Sequence, residues 1–549
     1  MGLRAAPNHE PVLPPWAGSP GATSIWHVME ERKTTRRTFL KTAGAAAVTG
    51  LAAAKLACKR REVPHDPPAR HLLTDWESDP LSELLAAPDA VFRPTASGCT
   101  LHWVPRGQVE VQVLAGTDES KLELARELAS TDPTQVQLSG FPPDAELFYQ
   151  CRYRRKGNGQ WTARPVRRMH TARPPGSAYK VALIADTHLA MAQRKQQTEH
   201  KPRQNLKATI ERVLADRPDF VIFLGDEPLT TSWYTADREM NQQLTCERWE
   251  FWRQFYVPLL QAVPSYLVIG NHEGEAGYQQ IYLHGHWPLQ RWATIARKTY
   301  YPNPLPDTYP EGGEDQGWRG DQNSEPTGGA DQGNCSPLQN YFAWTWGDAL
   351  FVVLDVQRYT NVGRGFPMSP DDWTLGQPQL QWLERVLTGS NARWKLVLGH
   401  HLMGGWNWGR EGTKRPPEAS AYARGGARYA RVGEQARITD LMNRAGAQMF
   451  LYGHDHVFAH QQAEGIHFVC CGRPTKMPDR MQSTPGWKEA YGEASARNPH
   501  DFHLAVGYTR LSVAPHGVTV DYVRTGTDPS GRENVSIPVG GTVYQFSVT

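Results

Sequence analysis

Five short clusters of Asp, Asn and His occur in a fixed order through the middle of this chain. The clusters are Asp186-Thr187-His188, Gly225-Asp226, Gly270-Asn271-His272-Glu273, Gly399-His400-His401 and Gly453-His454-Asp455-His456. Carboxylate oxygens and neutral imidazole nitrogens are ligands that suit Zn, Mn, Fe and similar ions. Two aspartates with several histidines are more than one ion needs, so these residues predict a two-metal site.

A short apolar run precedes each cluster and predicts a buried strand. The runs are KVALIA (180–185), FVIFL (220–224), SYLVI (265–269), WKLVL (394–398) and MFLY (449–452). Short apolar runs of this kind, rich in β-branched and aromatic residues, are typical of strands covered on both faces. In a layered α/β domain the carboxyl ends of neighbouring strands converge on one crevice. The five clusters should therefore meet there, while amphipathic patterns over 205–215, 377–387 and 437–445 predict helices that cover the sheets.

The ordered motifs D-x-H, G-D, G-N-H-E, G-H and G-H-x-H resemble those of the calcineurin-like metallophosphoesterases over residues 178–475. The resemblance implies an α/β fold, a four-layer α/β/β/α sandwich, and hydrolysis of phosphate mono- or diesters by hydroxide held on two metal ions. In such a centre the ions clamp the attacking and leaving oxygens and acidify a bound water. The implied ligands are Asp186, His188 and His456 for the first ion, Asn271, His400 and His454 for the second, and Asp226 as the bridge.

Two further residues of the third motif match positions that act during catalysis in this family. His272 matches a group that protonates or orients the leaving oxygen, and Glu273 would fix the tautomer of His272. His400 and His401 are adjacent, and only one need be a ligand. A similar G-H-aromatic-Pro pattern in related phosphatases favours His400. Asp455 lies between two ligands and is interpreted as a solvated or turn-stabilising carboxylate.

The chain resembles the exported branch that includes the purple acid phosphatases, but it departs from those enzymes at two positions. Leu229 stands where those enzymes carry a metal-bound Tyr, and His188 stands where their first motif has Gly. The charge-transfer colour should therefore be missing, and a ferric ion is not required. The resemblance leaves the two ions as divalent or trivalent, with Fe, Zn or Mn as candidates.

The pattern along the chain predicts a small all-β domain before the catalytic one. Residues 59–90 are polar and contain several prolines, which favours a linker. Short alternating strands follow within 91–175: CTLHWVP (99–105), VEVQVLAG (109–116), TQVQLSGF (134–141) and LFYQCRYRR (147–155). Their spacing predicts a β-sandwich that resembles the fibronectin-like module of exported phosphoesterases. The catalytic domain would span 176–549, with C-terminal strands that complete its second sheet.

Two long loops interrupt the predicted catalytic domain, at 302–338 and 404–432. The second follows His400 closely and is rich in arginine. One hypothesis is that Arg424 and Arg428 bind the substrate phosphate, because the guanidinium fork matches phosphate oxygens. A solvated charged loop is an equally good interpretation.

The segment around Arg36-Arg37, followed by an Ala-rich run over 42–57, resembles a twin-arginine export signal. That run is too short for a transmembrane helix, which needs about 20 apolar residues. Export to the periplasm or the outside of the cell, through the twin-arginine machinery, is therefore predicted. Lys55 disfavours lipid anchoring at Cys58, and Met29 competes with Met1 as the true start.

Composition limits the classes of partner. A net charge of +3 over 549 residues gives no reason to expect nucleic acid or an anionic membrane surface. A phosphate-ester small molecule or polymer is the expected substrate. The alternatives are a non-catalytic cell-envelope protein that binds phosphate or a polymer on the same fold, and a hydrolase of phosphoramide or pyrophosphate bonds.

Overall fold

The computed structural model describes residues 75–157, 159–189, 196–229, 242–273, 288–304, 340–355, 375–401, 432–463, 465–477 and 502–549. The predicted export signal, Met29, Cys58, Arg424 and Arg428 lie outside these residues. Within the described ranges, no helix is both long enough and apolar enough to cross a membrane.

The described elements are mostly strands, with helices between the strands of the catalytic domain. In chain order the strands are β1 (Leu85–Thr95), β2 (Gly98–Pro105), β3 (Val109–Gly116), β4 (Glu123–Ser130), β5 (Thr134–Leu138), β6 (Glu146–Arg155), β7 (Thr162–Ala163), β8 (Arg167–His170), β9 (Tyr179–Ile184), β10 (Phe220–Phe223), β11 (Ser265–Leu267), β12 (Phe342–Trp346), β13 (Ala349–Val353), β14 (Trp394–Leu398), β15 (Met449–Tyr452), β16 (Phe458–Ala463), β17 (Ile466–Cys471), β18 (Phe502–His503), β19 (Gly507–Ala514), β20 (Gly517–Arg524) and β21 (Thr542–Val548). The helices are α1 (Gln196–Asp216), α2 (Gln242–Phe255), α3 (Val257–Leu260), α4 (Pro288–Tyr300), α5 (Gly376–Gly389) and α6 (Val432–Arg444), with a 3-10 turn at Asp75–Ser78. All five apolar runs form strands, and the three predicted helices correspond to α1, α5 and α6.

The strands form three sheets. The first sheet has the order β21-β20-β19-β9-β10-β11-β1-β2-β5, and the second has the order β12-β13-β14-β15-β17-β16-β18. Strands β9, β10, β11 and β1 are parallel, as are β13, β14, β15 and β17. The third sheet is antiparallel and has the order β4-β3-β6-β7, with β8 also paired to β6.

Three apolar cores separate four layers in the catalytic domain. Strand side chains alternate, so that Phe220 points into the core between the first and second sheets, while Val221 points to the outer face of the first sheet. Helices α1, α2 and α4 cover that outer face, and α5 and α6 cover the outer face of the second sheet. The predicted α/β/β/α sandwich is confirmed.

The region before β9 forms the predicted all-β sandwich, but it is joined to the catalytic domain by a shared sheet. Strands β1, β2 and β5 extend the first sheet and share a core with the third sheet, in which Trp103, Val111 and Tyr149 are fully buried. Strand β1 pairs in parallel with β11 and begins at Leu85, within the stretch predicted as a linker. Buried Trp76 and Leu81 already belong to this core, so the chain is structured there before residue 91.

The C-terminal strands join a different sheet from the one expected. Strand β19 pairs with β9, with Thr509 opposite Leu183, and β20 and β21 extend the first sheet beyond it. Only the short β18 joins the second sheet. The expectation that the C-terminal strands complete the second sheet was therefore wrong for β19 to β21.

A candidate dinuclear metal centre

The predicted ligands lie at the carboxyl ends of the central parallel strands. Asp186, Asp226 and Asn271 follow β9, β10 and β11 in the first sheet, and His400 and His454 follow β14 and β15 in the second. Because the two sheets pack face to face, their ligand-bearing ends meet at one edge of the sandwich. All seven predicted ligands are in the described part of the chain, and the fold brings them to this edge.

The backbone at these positions is unusual. Eight non-glycine residues in the described ranges have positive φ angles, and five of them are predicted ligands: Asp186, His188, Asp226, His454 and His456, with φ between 50° and 68°. Such conformations cost about 1–3 kcal/mol each and persist where the surrounding structure holds them. The strain is concentrated in the turns that aim the ligand side chains, which marks this edge as a functional site independently of the motifs.

One group of four ligand residues, the first ligand group, consists of Asp186, His188, Asp226 and His456, with its ligand atoms all within 4.8 Å of one another. His188 Nε2 is 3.3 Å from Asp226 Oδ2 and 3.8 Å from Asp186 Oδ1. His456 Nε2 is 3.3 Å from Asp186 Oδ1. These are the residues predicted to hold the first ion, together with the bridging aspartate.

A second ligand group consists of His400, His401 and His454. His400 Nε2 is 3.3 Å from Asp226 Oδ2, so the same carboxylate oxygen borders both groups. His400 Nδ1 is 2.7 Å from the Leu224 carbonyl oxygen, which can only accept, so Nδ1 carries a proton and Nε2 is the ring nitrogen that faces the pocket. The ring of His401 lies against that of His454, with centroids 3.8 Å apart.

The donor atoms fit metal ions. Asp186 Oδ1, Asp226 Oδ2, His400 Nε2 and both side-chain polar atoms of Asn271 are buried and make no hydrogen bond within the described residues. Buried polar groups are nearly always hydrogen-bonded, so ligand atoms left in this state indicate that a cation completes the site. Burial lowers the pKa of His400, but the adjacent Asp226 carboxylate outweighs it and raises that pKa to about 10. The pocket thus attracts positive charge.

Two glycines allow the motif turns to approach one another closely. A Cβ on Gly270 would collide with the backbone nitrogen and Oδ1 of Asp226, and a Cβ on Gly453 would lie 2.7 Å from Asp186 Oδ2. The glycines that open these two motifs therefore have a steric reason to be there.

His272 and Glu273 occupy different environments. Glu273 was predicted to orient the His272 ring, but its carboxylate bonds to backbone N–H groups. His272 Nε2 lies 3.9 Å from Asp226 Oδ2, at the edge of the pocket. The Glu273 carboxylate accepts hydrogen bonds from the backbone N–H groups of Gly270 (2.6 Å), Asp226 (3.2 Å) and Glu227 (2.7 Å). Glu273 holds the second and third motif turns together instead of orienting the His272 ring.

Sequence reasoning missed two residues beside the centre. The Glu227 carboxylate is fully buried beneath the second motif, where Thr187 Oγ1 donates to it at 2.7 Å and Trp252 Nε1 at 3.3 Å. Arg473 follows β17 and brings its Nη1 to 3.2 Å from His456 Nδ1. Neither residue is a ligand position of the five motifs. The sequence feature that could have indicated them is their position shortly after a buried strand.

Asp455 also differs from expectation in its exposure. Its backbone N–H donates to the Gly453 carbonyl, which agrees with a place in a turn, but its side chain is buried and not solvated. The predicted substrate-binding Arg424 and Arg428 lie outside the described residues.

Comparison with known proteins gives one family and a set of similar folds. A sequence model of the calcineurin-like phosphoesterase family matches residues 179–458. The structure of PhoD is similar over 84% of this chain and 94% of its own, with 17% identity and a TM-score of 0.58. The purple acid phosphatase PPD1 from yellow lupin (Lupinus luteus) seeds is similar over 84% of this chain and 73% of its own, with 13% identity and a TM-score of 0.51. No curated protein matches the chain significantly.

Proposed function

This chain belongs to the calcineurin-like phosphoesterase family, and from that premise we propose that it is an exported phosphoesterase with a dinuclear metal centre that hydrolyses phosphate mono- or diesters. One observation carries the proposal: Asp226 Oδ2 lies 3.3 Å from the imidazole nitrogens of both His188 and His400. A single carboxylate oxygen thus borders the two ligand groups, as a bridging ligand must. The ions themselves would be Fe, Zn or Mn, which suit imidazole and carboxylate donors.

Each protein group has a distinct task in this proposal. The ions, when bound, supply an acidified water and polarise the phosphoryl oxygen. Asn271 adds a ligand without adding negative charge, which favours the approach of an anionic ester. His272, at the edge of the pocket, donates a proton to the leaving oxygen. Glu273 has a positioning role, because its carboxylate fixes the backbone of the turns that carry Asp226 and Asn271.

Export through the twin-arginine machinery is part of the same proposal. The Arg36-Arg37 segment supports it, since that route carries folded proteins and would allow metals to be inserted before export. A periplasmic or extracellular location favours esters that reach the cell from outside as substrates.

The test is a paired assay of the purified protein against p-nitrophenyl phosphate and bis-p-nitrophenyl phosphate. The protein is stripped of metal, reloaded with Mn, Zn, Fe or Ca, and compared with Asp226→Asn. Turnover that depends on metal and is lost in Asp226→Asn is expected, and the ratio of the two rates assigns mono- or diesterase activity. Two bound ions without turnover would point to a different bond, such as a phosphoramide. If the protein shows no turnover and binds no stoichiometric metal, the result would favour a phosphate- or polymer-binding protein.

A further inference from the structure

We propose that Glu227 is a positioning residue: its side chain holds the turn of the first motif, and so sets the affinity of the centre for the first ion more strongly than that for the second. This inference rests on the proposed function, because it concerns the metal centre of the same site. Glu227 belongs to neither ligand group, and its carboxylate is fully buried.

The Glu227 carboxylate bonds to the middle residue of the first-motif turn, Asp186-Thr187-His188. Thr187 Oγ1 donates to Glu227 Oε2 at 2.7 Å, and both residues are buried. The other acceptor for this hydroxyl, the Glu227 carbonyl oxygen, is farther away at 3.3 Å. Loss of the carboxylate would leave the buried hydroxyl with the weaker of its two bonds. Since Thr187 stands between two predicted ligands of the first ion, the bond fixes the turn at its centre.

The first-motif turn needs such support because its backbone is strained. Asp186 and His188 have φ angles of 56° and 50°, on either side of Thr187. Left-handed conformations of non-glycine residues persist only where the surrounding structure holds them. The Leu189 N–H donates to the Glu227 carbonyl at 2.9 Å, so the backbone of Glu227 holds the end of the turn while its side chain holds the middle.

Helix α2 and the residue after it hold the same carboxylate oxygen from the core side. Trp252 Nε1 donates to Glu227 Oε2 at 3.3 Å, and the Tyr256 hydroxyl donates at 3.4 Å. Both rings are fully buried and pack against Phe223 of β10, with ring centroids 5.1 Å and 5.0 Å away. Glu227 Oε2 thus links the strained turn to the packed core of the outer face of the first sheet.

The second ion should depend less on this side chain. The Glu227 backbone N–H, which a side-chain substitution keeps, donates to Glu273 Oε1 at 2.7 Å and ties the second motif to the third, which carries Asn271. Asp226 Oδ1 accepts the His272 N–H at 2.7 Å, so the proposed bridge keeps a support of its own. The other predicted ligands of the second ion come from the second sheet. Loss of the Glu227 side chain should therefore loosen the first-motif turn above all.

The experiment titrates the metal-stripped protein with zinc by calorimetry and follows two binding steps. His188→Ala and His400→Ala identify the step that belongs to each ion. The test variants are Glu227→Ala, Glu227→Gln, which keeps the length and one acceptor oxygen, and Thr187→Val, which removes the hydroxyl donor. Urea unfolding of the metal-free proteins gives the stability of each variant.

Glu250→Ala is the matched control. Glu250 lies on α2, and its carboxylate accepts from the Tyr300 hydroxyl at 3.2 Å, so its loss also removes a contact of this helix. The substitution should lower stability and leave the affinity for both ions unchanged. A general weakening of α2 is thereby separated from the loss of the bond to Thr187.

For Glu227→Ala we expect the first ion to bind about 10–100-fold more weakly, as when other groups that support ligands are lost. The second ion should be affected less. Thr187→Val should show the same selective loss, and Glu227→Gln should recover part of the affinity. Glu227→Ala combined with Thr187→Val should weaken the first ion little more than Glu227→Ala alone, because both substitutions remove the same bond.

Unchanged affinity for the first ion in Glu227→Ala would overturn the inference, and Thr187→Val decides the matter in the same way if Glu227→Ala does not fold. Equal weakening of both steps would show that Glu227 supports the whole centre and not the first-motif turn. Fewer than two ions bound to the unaltered protein would overturn both the proposed centre and the inference. If the unaltered protein binds two ions but hydrolyses neither ester, the proposed activity fails, and the titrations still decide the role of Glu227.

Discussion

The backbone N–H of His454 donates a 2.8 Å hydrogen bond to Asp186 Oδ2, and so joins the last motif to the first across 268 residues. Asp186 follows β9 in the first sheet and His454 follows β15 in the second, so this bond ties the two sheets together at the metal centre. It also turns Asp186 Oδ1 toward His456 and His188. The ligand geometry therefore depends on how the two sheets pack, as well as on each turn.

Gly270→Ala should abolish activity without unfolding the protein. The new Cβ would collide with the backbone nitrogen and Oδ1 of Asp226, and would so displace the carboxylate that is proposed to bridge the ions. Metal content measured by atomic spectroscopy should fall together with kcat. Gly389→Ala, at the end of α5 where a Cβ meets nothing within 4 Å, is the matched control and should leave both values unchanged. Full metal content in Gly270→Ala would refute this explanation.

Glu273→Gln should destabilise the protein by about 1–3 kcal/mol, since one buried backbone N–H would then face an amide N–H in place of an acceptor. Metal affinity should also fall, by about 10–100-fold, as it does when groups that support ligands are changed. Urea unfolding and metal titration measure the two effects. Glu384→Gln, on the exposed surface of α5, serves as the control. A lower kcat with unchanged stability would instead support the original expectation that Glu273 orients His272.

His400→Ala should reduce the bound metal from two ions to one and lower kcat by more than about 100-fold, since even changes outside the direct ligands cost about 10–100-fold. The reason is that His400 Nε2 faces the shared oxygen of Asp226, with its tautomer fixed by the Leu224 carbonyl. His401→Ala should keep two ions. Loss of an ion in His401→Ala but not in His400→Ala would show that His401, and not His400, is the metal ligand.

A histidine pair away from the metal centre should make stability depend on pH. His460 Nε2 is 2.9 Å from His467 Nδ1, and His460 Nδ1 is 3.0 Å from the Tyr544 hydroxyl, beneath the edge strand β21. Burial and the neighbouring His467 lower the pKa of His460 to about 3. The unfolded chain, with an ordinary histidine pKa near 6.5, therefore binds the proton more readily than the folded one. Stability should be complete above about pH 6.5 and fall toward pH 3, with a loss of about 2 kcal/mol at pH 5.

Urea unfolding at pH 7.5 and pH 5 measures this loss. His460→Gln should reduce the difference between the two pH values, because Gln binds no proton. His516→Gln, in the exposed turn between β19 and β20, should leave the difference as it is. The same difference in all three proteins would show that other groups cause it.

The five strands, and the meeting of the predicted ligands at one edge of the sheets, could be predicted because the information is local. Each apolar run is short, buried on both faces and followed directly by its ligand, and the carboxyl ends of parallel strands must converge. The roles of Glu273 and Glu227 could not be predicted in this way. They depend on which backbone N–H groups and side chains converge from distant turns, as when Trp252 of α2 reaches Glu227.

The extension of the first sheet by strands of the N-terminal β-rich region was also beyond local reasoning. Strand β1 contains Pro88, Asp89 and Pro94, residues that are uncommon in strands, yet it pairs with both β2 and β11. The fully buried Arg253 of α2 donates to the Pro88 carbonyl at 2.7 Å and so supports β1 from the catalytic side. A pairing of this kind is decided by packing between distant segments.

The pairing of Leu183 with Thr509 has a consequence for biosynthesis. A ribosome releases β9 more than 300 residues before the strand that covers its open edge. Unpaired edges attract other strands, and contacts between distant segments form slowly. Throughout that interval the half-built sheet is a target for aggregation. The yield of active protein in a cell should therefore depend on the chaperones that shield β9 as much as on the stability of the finished molecule.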